Sequence, residues 1–130
     1  MRAVVLVPAV LAALVLSPHA SAKGCLRIQA PASAEVGESV RLSVRTYMSR
    51  LANGRVVPGA PTSLGIARLR MTAEGPDGRR FQFVARATAE DGVLVARVVL
   101  RATGLWRLSA MNWAYAPRSC AASRLVRVRS

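Results

Sequence analysis

Histidine and acidic residues are scarce in this chain, and their scarcity excludes much chemistry. The 130 residues contain one histidine, His19, and six acidic residues against nineteen basic ones. Imidazole is the usual base that activates a serine or cysteine nucleophile, and it is a common ligand of zinc and Cu(II). With so little histidine to activate a nucleophile or to bind a metal, the sequence predicts neither an enzyme nor a metal or cofactor site.

Long apolar runs are also missing, except at the start, where residues 1–22 predict an export signal. Arg2 gives a positive beginning, residues 3–16 form a nearly unbroken apolar run, and residues 20–22 supply an A-x-A cleavage site. A retained membrane-spanning helix is the alternative, but the run is short for a bilayer. The sequence therefore predicts a secreted or periplasmic protein.

Cleavage would leave one domain, residues 23–130, and would remove His19. The mature chain would carry eighteen basic and six acidic residues, with Lys23 as its only lysine. Such a charge attracts polyanions outside the cytoplasm, such as cell-wall phosphopolymers, acidic polysaccharide or lipid head groups. Few aromatic residues are interleaved with the arginines, so we do not expect specific recognition of nucleic acid.

Only two cysteines are present, Cys25 and Cys120. In an exported chain a lone pair most simply forms a disulfide, which would stabilise a small domain. In the alternative, Cys25 is a lipoprotein cysteine, because Ala22 to Cys25 partly matches a lipobox. Lys23 departs from that pattern, and lipidation would leave Cys120 unpaired. Membrane contact is expected only in this second case.

From Cys25 onward the apolar residues recur with a period of two, which predicts half-buried β-strands. The residues expected to face inward are Val40, Leu42, Val44 and Thr46, then Ala67, Leu69, Met71 and Ala73, then Phe81, Phe83, Ala85 and Ala87, then Leu94, Ala96, Val98 and Leu100, and finally Val126 and Val128. The turn signals between these segments indicate about seven strands. Residues 49–63 are rich in proline and glycine, so we interpret them as a mobile loop or a crossing between sheets.

Several of these segments carry a resemblance to a known family. They are Pro31 and Gly37 before residues 40–44, the turn at residues 75–78, Glu90-Asp91-Gly92 before Val93-Leu94, and Gly104-Leu105-Trp106-Arg107-Leu108. Together they are similar to the immunoglobulin-like domains of exported bacterial proteins. The resemblance implies one antiparallel β-sandwich whose first and last strands lie side by side and parallel. It also implies that Cys25 and Cys120, which would begin those two strands, lie close together.

The aromatic segment after the Trp106 strand is the first candidate binding site. Trp113, Tyr115 and Arg118 fall in a predicted loop, and such residues are typical of contact surfaces. They would contact another exported protein. Alternatively, the rings fold back and cover the core.

The arginines form the second candidate site, because they recur at outward positions of several predicted strands. The candidate residues are Arg68, Arg70, Arg97 and Arg101, with Arg41, Arg45, Arg127 and Arg129 in the same pattern. A basic sheet face of this kind would bind polyanions. The alternative is a solvated face that only keeps the domain soluble.

Two further groups have simpler interpretations. Glu90 and Asp91 are adjacent in a predicted corner, where they are turn residues rather than a catalytic pair. Met48, Met71 and Met111 could supply thioethers to Cu(I), but Met71 is in register with core positions and packing is favoured. The sequence thus favours a non-catalytic module that contacts another exported protein, with polyanion binding as the alternative.

Overall fold

The structure is a computed structural model, and it describes residues 24–110, 120 and 123–130. The strands in this part are β1 (Gly24–Gln29), β2 (Ser33–Glu35), β3 (Ser39–Ala52), β4 (Arg55–Pro61), β5 (Arg68–Glu74), β6 (Arg80–Ala87), β7 (Val93–Val99), β8 (Gly104–Ala110) and β9 (Ser123–Arg129). Nine strands replace the expected seven, and one 3-10 turn, Pro76–Gly78, is the only helical element in the described residues. The domain is therefore nearly all β, as the alternation predicted.

The strands form one curled sheet in the order β1-β3-β7-β6-β5-β8-β9-β2, with β4 paired to β3. The shortest ladder in the described residues is the one between β6 and β7, where only Arg86↔Val95 and Ala87↔Leu94 are paired. This break divides the sheet into a three-strand half (β1, β3 and β7), to whose β3 the ninth strand β4 is added, and a five-strand half (β6, β5, β8, β9 and β2).

The core lies on the concave side of the curl, and the period of two predicted most of its members. Val44, Met71 and Leu108 are fully buried, and Trp106 is 2% exposed. Of the residues expected inside, Ala67 and Ala87 are instead exposed, and Phe81 and Phe83 are only partly buried. These exceptions lie at strand ends or beside the β6–β7 break, where packing is incomplete.

The opening segment departs from the expected arrangement. β1 pairs antiparallel with β3, whereas the short β2 runs parallel to β9. The chain changes partners across residues 30–32, where the Ala30 carbonyl accepts hydrogen bonds from the Arg124 guanidinium at 2.9 and 3.1 Å. The expected parallel pairing of first and last strands was therefore wrong for β1 and describes only β2.

Cys25 and Cys120 lie at disulfide distance, with their Cα atoms 4.3 Å apart and both side chains buried. Cys120 precedes β9 rather than beginning it, which differs from the expectation. The backbone N–H of Leu26 donates a hydrogen bond to the Cys120 carbonyl at 3.0 Å. The pair thus fastens β1, which is an edge strand, to the segment that leads into β9.

Residues 49–63 are mostly a β-hairpin, so interpreting them as a mobile loop or a crossing was wrong. The last residues of β3 pair with β4 across a turn at Asn53 and Gly54, both at positive φ. Asn-Gly is the preferred sequence of a two-residue hairpin turn, and this signal outweighs the nearby prolines. Leu51 is 74% exposed on this hairpin.

Candidate functional site: an arginine face on the three-strand half

The convex surface of the three-strand half brings arginines together across neighbouring strands. Arg27 lies directly opposite Arg45 in the β1–β3 ladder, and Arg41 lies directly opposite Arg97 in the β3–β7 ladder. Directly opposite residues of an antiparallel pair point to the same face, with their Cβ atoms about 5 Å apart. Two arginine pairs are therefore held side by side by backbone register alone.

Ser43 and Val95 lie between the two pairs, and Arg86 lies beside Val95 at the joint with β6. Residues two apart on a strand share a face and are separated by about 7 Å, so the two arginine rows are about 13 Å apart. We call Arg27, Arg41, Arg45 and Arg97 of the three-strand half, together with the adjoining Arg86 of β6, the arginine face. All are exposed except Arg45, which is half-buried.

One acidic side chain reaches this face in the described part of the chain. The Glu90 carboxylate lies 3.3 Å from the Arg45 guanidinium, with the two side chains 64% and 41% exposed. An ion pair exposed to this degree contributes little, because solvent screens it. The arginine face consequently keeps most of its positive charge.

The five-strand half has a different charge pattern. Glu74 lies between Arg80 on β6 and Arg107 on β8, directly opposite both, and Glu35 lies opposite Arg129. Opposite charges in these positions attract across the strands. The strands of the five-strand half therefore mix acidic with basic residues, whereas β1, β3 and β7 carry arginines and no acidic residue.

The predicted arginines do not form one patch. Arg97 belongs to the arginine face. Arg68 of β5 borders this face, because Arg68 lies opposite Arg86 of β6. Arg70 lies opposite Val84, and Arg101 follows β7 and lines a separate cleft. Arg127 and Arg129 lie on β9, in the five-strand half.

Sequence reasoning missed two members of the arginine face. Arg27 alternates with Leu26 and Ile28 in β1, so its outward direction was readable from the period of two. Arg86 was also readable as outward, but no pattern within one strand shows which strand lies beside it. The pairing of Arg27 with Arg45 therefore required the structure.

Some other predicted residues have clear positions. Met71 is fully buried and Met48 is 56% exposed, so the structure does not bring these two thioethers to one site. Glu90 lies in a corner where its N–H donates to the Thr88 hydroxyl at 3.2 Å and its carbonyl accepts from Val93. This geometry is that of a turn residue.

Trp113, Tyr115 and Arg118 lie outside the described residues, as does Met111, so the predicted aromatic contact loop stays a prediction. Among the residues that are described, no group of three histidine, cysteine or acidic side chains converges as metal ligands do. No helix in that same part is long and apolar enough to cross a membrane.

No family model matches the chain, and no curated protein is significantly similar to it. Among solved structures, the chain is similar to a CARDB domain from Pyrococcus furiosus, crystallised in complex with di-metal ions. The two share 14% identity with a TM-score of 0.44, over 82% of this chain and 88% of that one. This likeness concerns the fold alone.

Proposed function

We propose that this protein is an exported, non-catalytic domain that binds an anionic, phosphate-bearing polymer of the cell envelope on the arginine face. The observation that carries this proposal is the placement of Arg41 directly opposite Arg97, next to the similar pair Arg27 and Arg45. Like charges directly opposite each other destabilise a sheet. An anion held between them would remove that repulsion.

The chemistry of the arginine face suits phosphate groups. A guanidinium presents paired N–H donors that match two phosphate oxygens, and its charge persists at any physiological pH. Arginines in two rows about 13 Å apart can contact successive groups of a polymer rather than a single small anion. Tyr47, whose ring lies 5.9 Å from the Arg27 guanidinium, supports one of these side chains from the side.

The cellular setting is part of the proposal. We propose that residues 1–22 are a cleaved export signal and that the domain works outside the cytoplasm. The Cys25–Cys120 pair supports this, because disulfides persist in oxidising compartments. We also propose that the two halves of the curled sheet act as the two sheets of an immunoglobulin-like sandwich, since their buried side chains form one core.

The experiment compares two double variants that carry equal charge changes. Arg41→Gln/Arg97→Gln removes two charges from the arginine face, and Arg107→Gln/Arg127→Gln removes two from the five-strand half. Inorganic polyphosphate is titrated into each mature protein, and the association constant is measured by calorimetry. We expect the first variant to bind at least about tenfold more weakly than the second. Equal weakening would mean that only net charge matters and would refute the assignment of the site.

Vesicles of phosphatidylglycerol serve as a second probe in the same comparison. If the wild-type protein binds these vesicles but not polyphosphate, the ligand is a membrane surface and the polymer proposal fails. If it binds polyphosphate in preference, the proposal is supported.

A further inference from the structure

In the described part of the chain, the break between β6 and β7 leaves one side of β6 without a neighbouring strand over most of its length. β6 pairs with β5 along seven residue pairs, but it pairs with β7 only at Arg86 and Ala87. Within the described residues, positions 80–85 have no strand on the β7 side. An open strand edge of this kind can accept an added strand.

The hydrogen-bond pattern shows which backbone groups lie on that open edge. The Ala87 N–H donates to the Ala67 carbonyl, and the Gly75 N–H donates to the Arg79 carbonyl. Since hydrogen-bonded and non-hydrogen-bonded pairs alternate in an antiparallel ladder, the odd-numbered residues of β6 bond to β5. The N–H and C=O groups of Gln82 and Val84 therefore point away from β5, toward the open side.

A cleft of about 530 Å³ lies beside this edge. Phe81, Val99 and Trp106 supply its apolar lining, while Arg79, Arg80 and Arg101 supply its charged lining. The Trp106 ring meets Phe81 edge-on with the centroids 5.8 Å apart, and its indole N–H is already bonded to the Ala102 carbonyl at 2.9 Å. The Trp106 ring is therefore fixed in place and nearly fully buried beneath the cleft, and the partly buried Phe81 and Val99 supply the accessible apolar surface.

The charge of the lining selects the occupant. Arg80 lies opposite Glu74, so Arg79 and Arg101 carry the uncompensated positive charge, and none of the described residues that line the cleft is acidic. A second copy of this chain would bring further arginines to the same place, in a protein whose net charge is +13. Charge complementarity thus favours an acidic partner over self-association.

We propose that β6 is a docking edge for an extended segment of another protein, which adds as a strand beside Gln82 and Val84. Alternate side chains of such a segment point to one face, so its apolar residues would enter the cleft while flanking acidic residues meet Arg79 and Arg101. This surface lies apart from the arginine face, and the proposal does not depend on polymer binding.

The experiment selects a displayed library of random peptides on the mature protein, followed by binding measurements with the enriched peptides. Gln82→Pro removes one open-edge N–H, and proline is tolerated on edge strands, whereas Gln82→Ala keeps the N–H. We expect enriched peptides with alternating apolar and acidic residues that lose at least about tenfold in affinity on Gln82→Pro but not on Gln82→Ala. They should also weaken on Arg101→Gln and bind Arg41→Gln/Arg97→Gln normally.

Amide hydrogen exchange on the wild-type protein gives a second readout that needs no variant. An enriched peptide should slow exchange at Gln82 and Val84, because their N–H groups would enter a new ladder. The proposal is overturned if no peptide is enriched, or if exchange at these two amides is unchanged at saturation. It is equally overturned if sedimentation shows a dimer that Gln82→Pro dissociates, since β6 would then pair with a second copy.

Discussion

Arg41 and Arg97 lie directly opposite each other on β3 and β7, in the three-strand half. At physiological ionic strength the screening length is about 8 Å, which exceeds the separation of directly opposite side chains. Their repulsion is therefore only partly screened, and the sheet tolerates it without an acidic neighbour in the described ladder.

The first prediction concerns stability. Arg97→Glu converts the opposed arginines into an attractive pair with Arg41, so the free energy of unfolding should rise by about half a kcal/mol at low salt. Urea unfolding at low and at high salt measures this, and the gain should shrink as salt rises.

The same substitution at Arg107 is the matched control. Arg107 lies opposite Glu74, so Arg107→Glu replaces an attraction with a repulsion and should lower the stability. If both substitutions change the unfolding free energy in the same direction, the register of charges does not govern stability here.

The second prediction concerns the Cys25–Cys120 pair, which closes a loop of 95 residues. Closing a loop of this length reduces the entropy of the unfolded chain by an amount worth about 4 to 5 kcal/mol. Reduction should lower the free energy of unfolding by up to this amount, because the constraint on the unfolded chain is then lost. It also releases β1, which is an edge strand, from the segment before β9. Urea unfolding with and without reductant is the measurement, and coincident curves would show that the bridge adds nothing.

The third prediction concerns Thr46, a buried polar residue at the end of the β3–β7 ladder. Its hydroxyl donates to the Thr62 carbonyl, and its backbone N–H donates to the Gly92 carbonyl at 2.9 Å. Thr46→Val keeps the shape but leaves the Thr62 carbonyl without this donor, so we expect a loss of about 1 to 3 kcal/mol. Thr46→Ser keeps the hydroxyl and should cost less than Thr46→Val, whereas the reverse order would rule out the hydrogen bond as the cause.

The fourth prediction concerns Gly75, which precedes the 3-10 turn. A Cβ at this position would lie 2.6 Å from the Trp106 ring, and Trp106 is held by its own hydrogen bond. Gly75→Ala should therefore destabilise the fold by about 1 to 3 kcal/mol through overpacking. The cost should fall sharply when Trp106 is already replaced by Leu, and a double-mutant cycle with thermal unfolding measures this coupling. Equal costs in the two backgrounds would place the strain elsewhere.

The sequence identified the buried faces because a period of two is a local property of each strand. It placed Val44, Leu69, Leu94 and Val126 inside without any knowledge of neighbours. It could not show which strands are adjacent, since pairing depends on the global topology. The position of Arg41 directly opposite Arg97 therefore could not be predicted from the sequence.

Two local errors have physical causes. The sequence predicts a mobile loop or a crossing between sheets at residues 49–63 because Pro58 and Pro61 weaken a strand prediction, although an edge strand such as β4 tolerates proline. The split of the opening segment at Pro31 was also missed, because a change of pairing partner leaves no period in the sequence.

The salt dependence of polyphosphate binding is the most direct test of the proposed function. The slope of log association constant against log salt reports the number of anionic contacts. The account predicts that Arg41→Gln/Arg97→Gln reduces this slope by about two contacts, while Arg107→Gln/Arg127→Gln leaves it unchanged. Equal slopes for both variants, or a wild-type affinity that does not respond to salt, would contradict it.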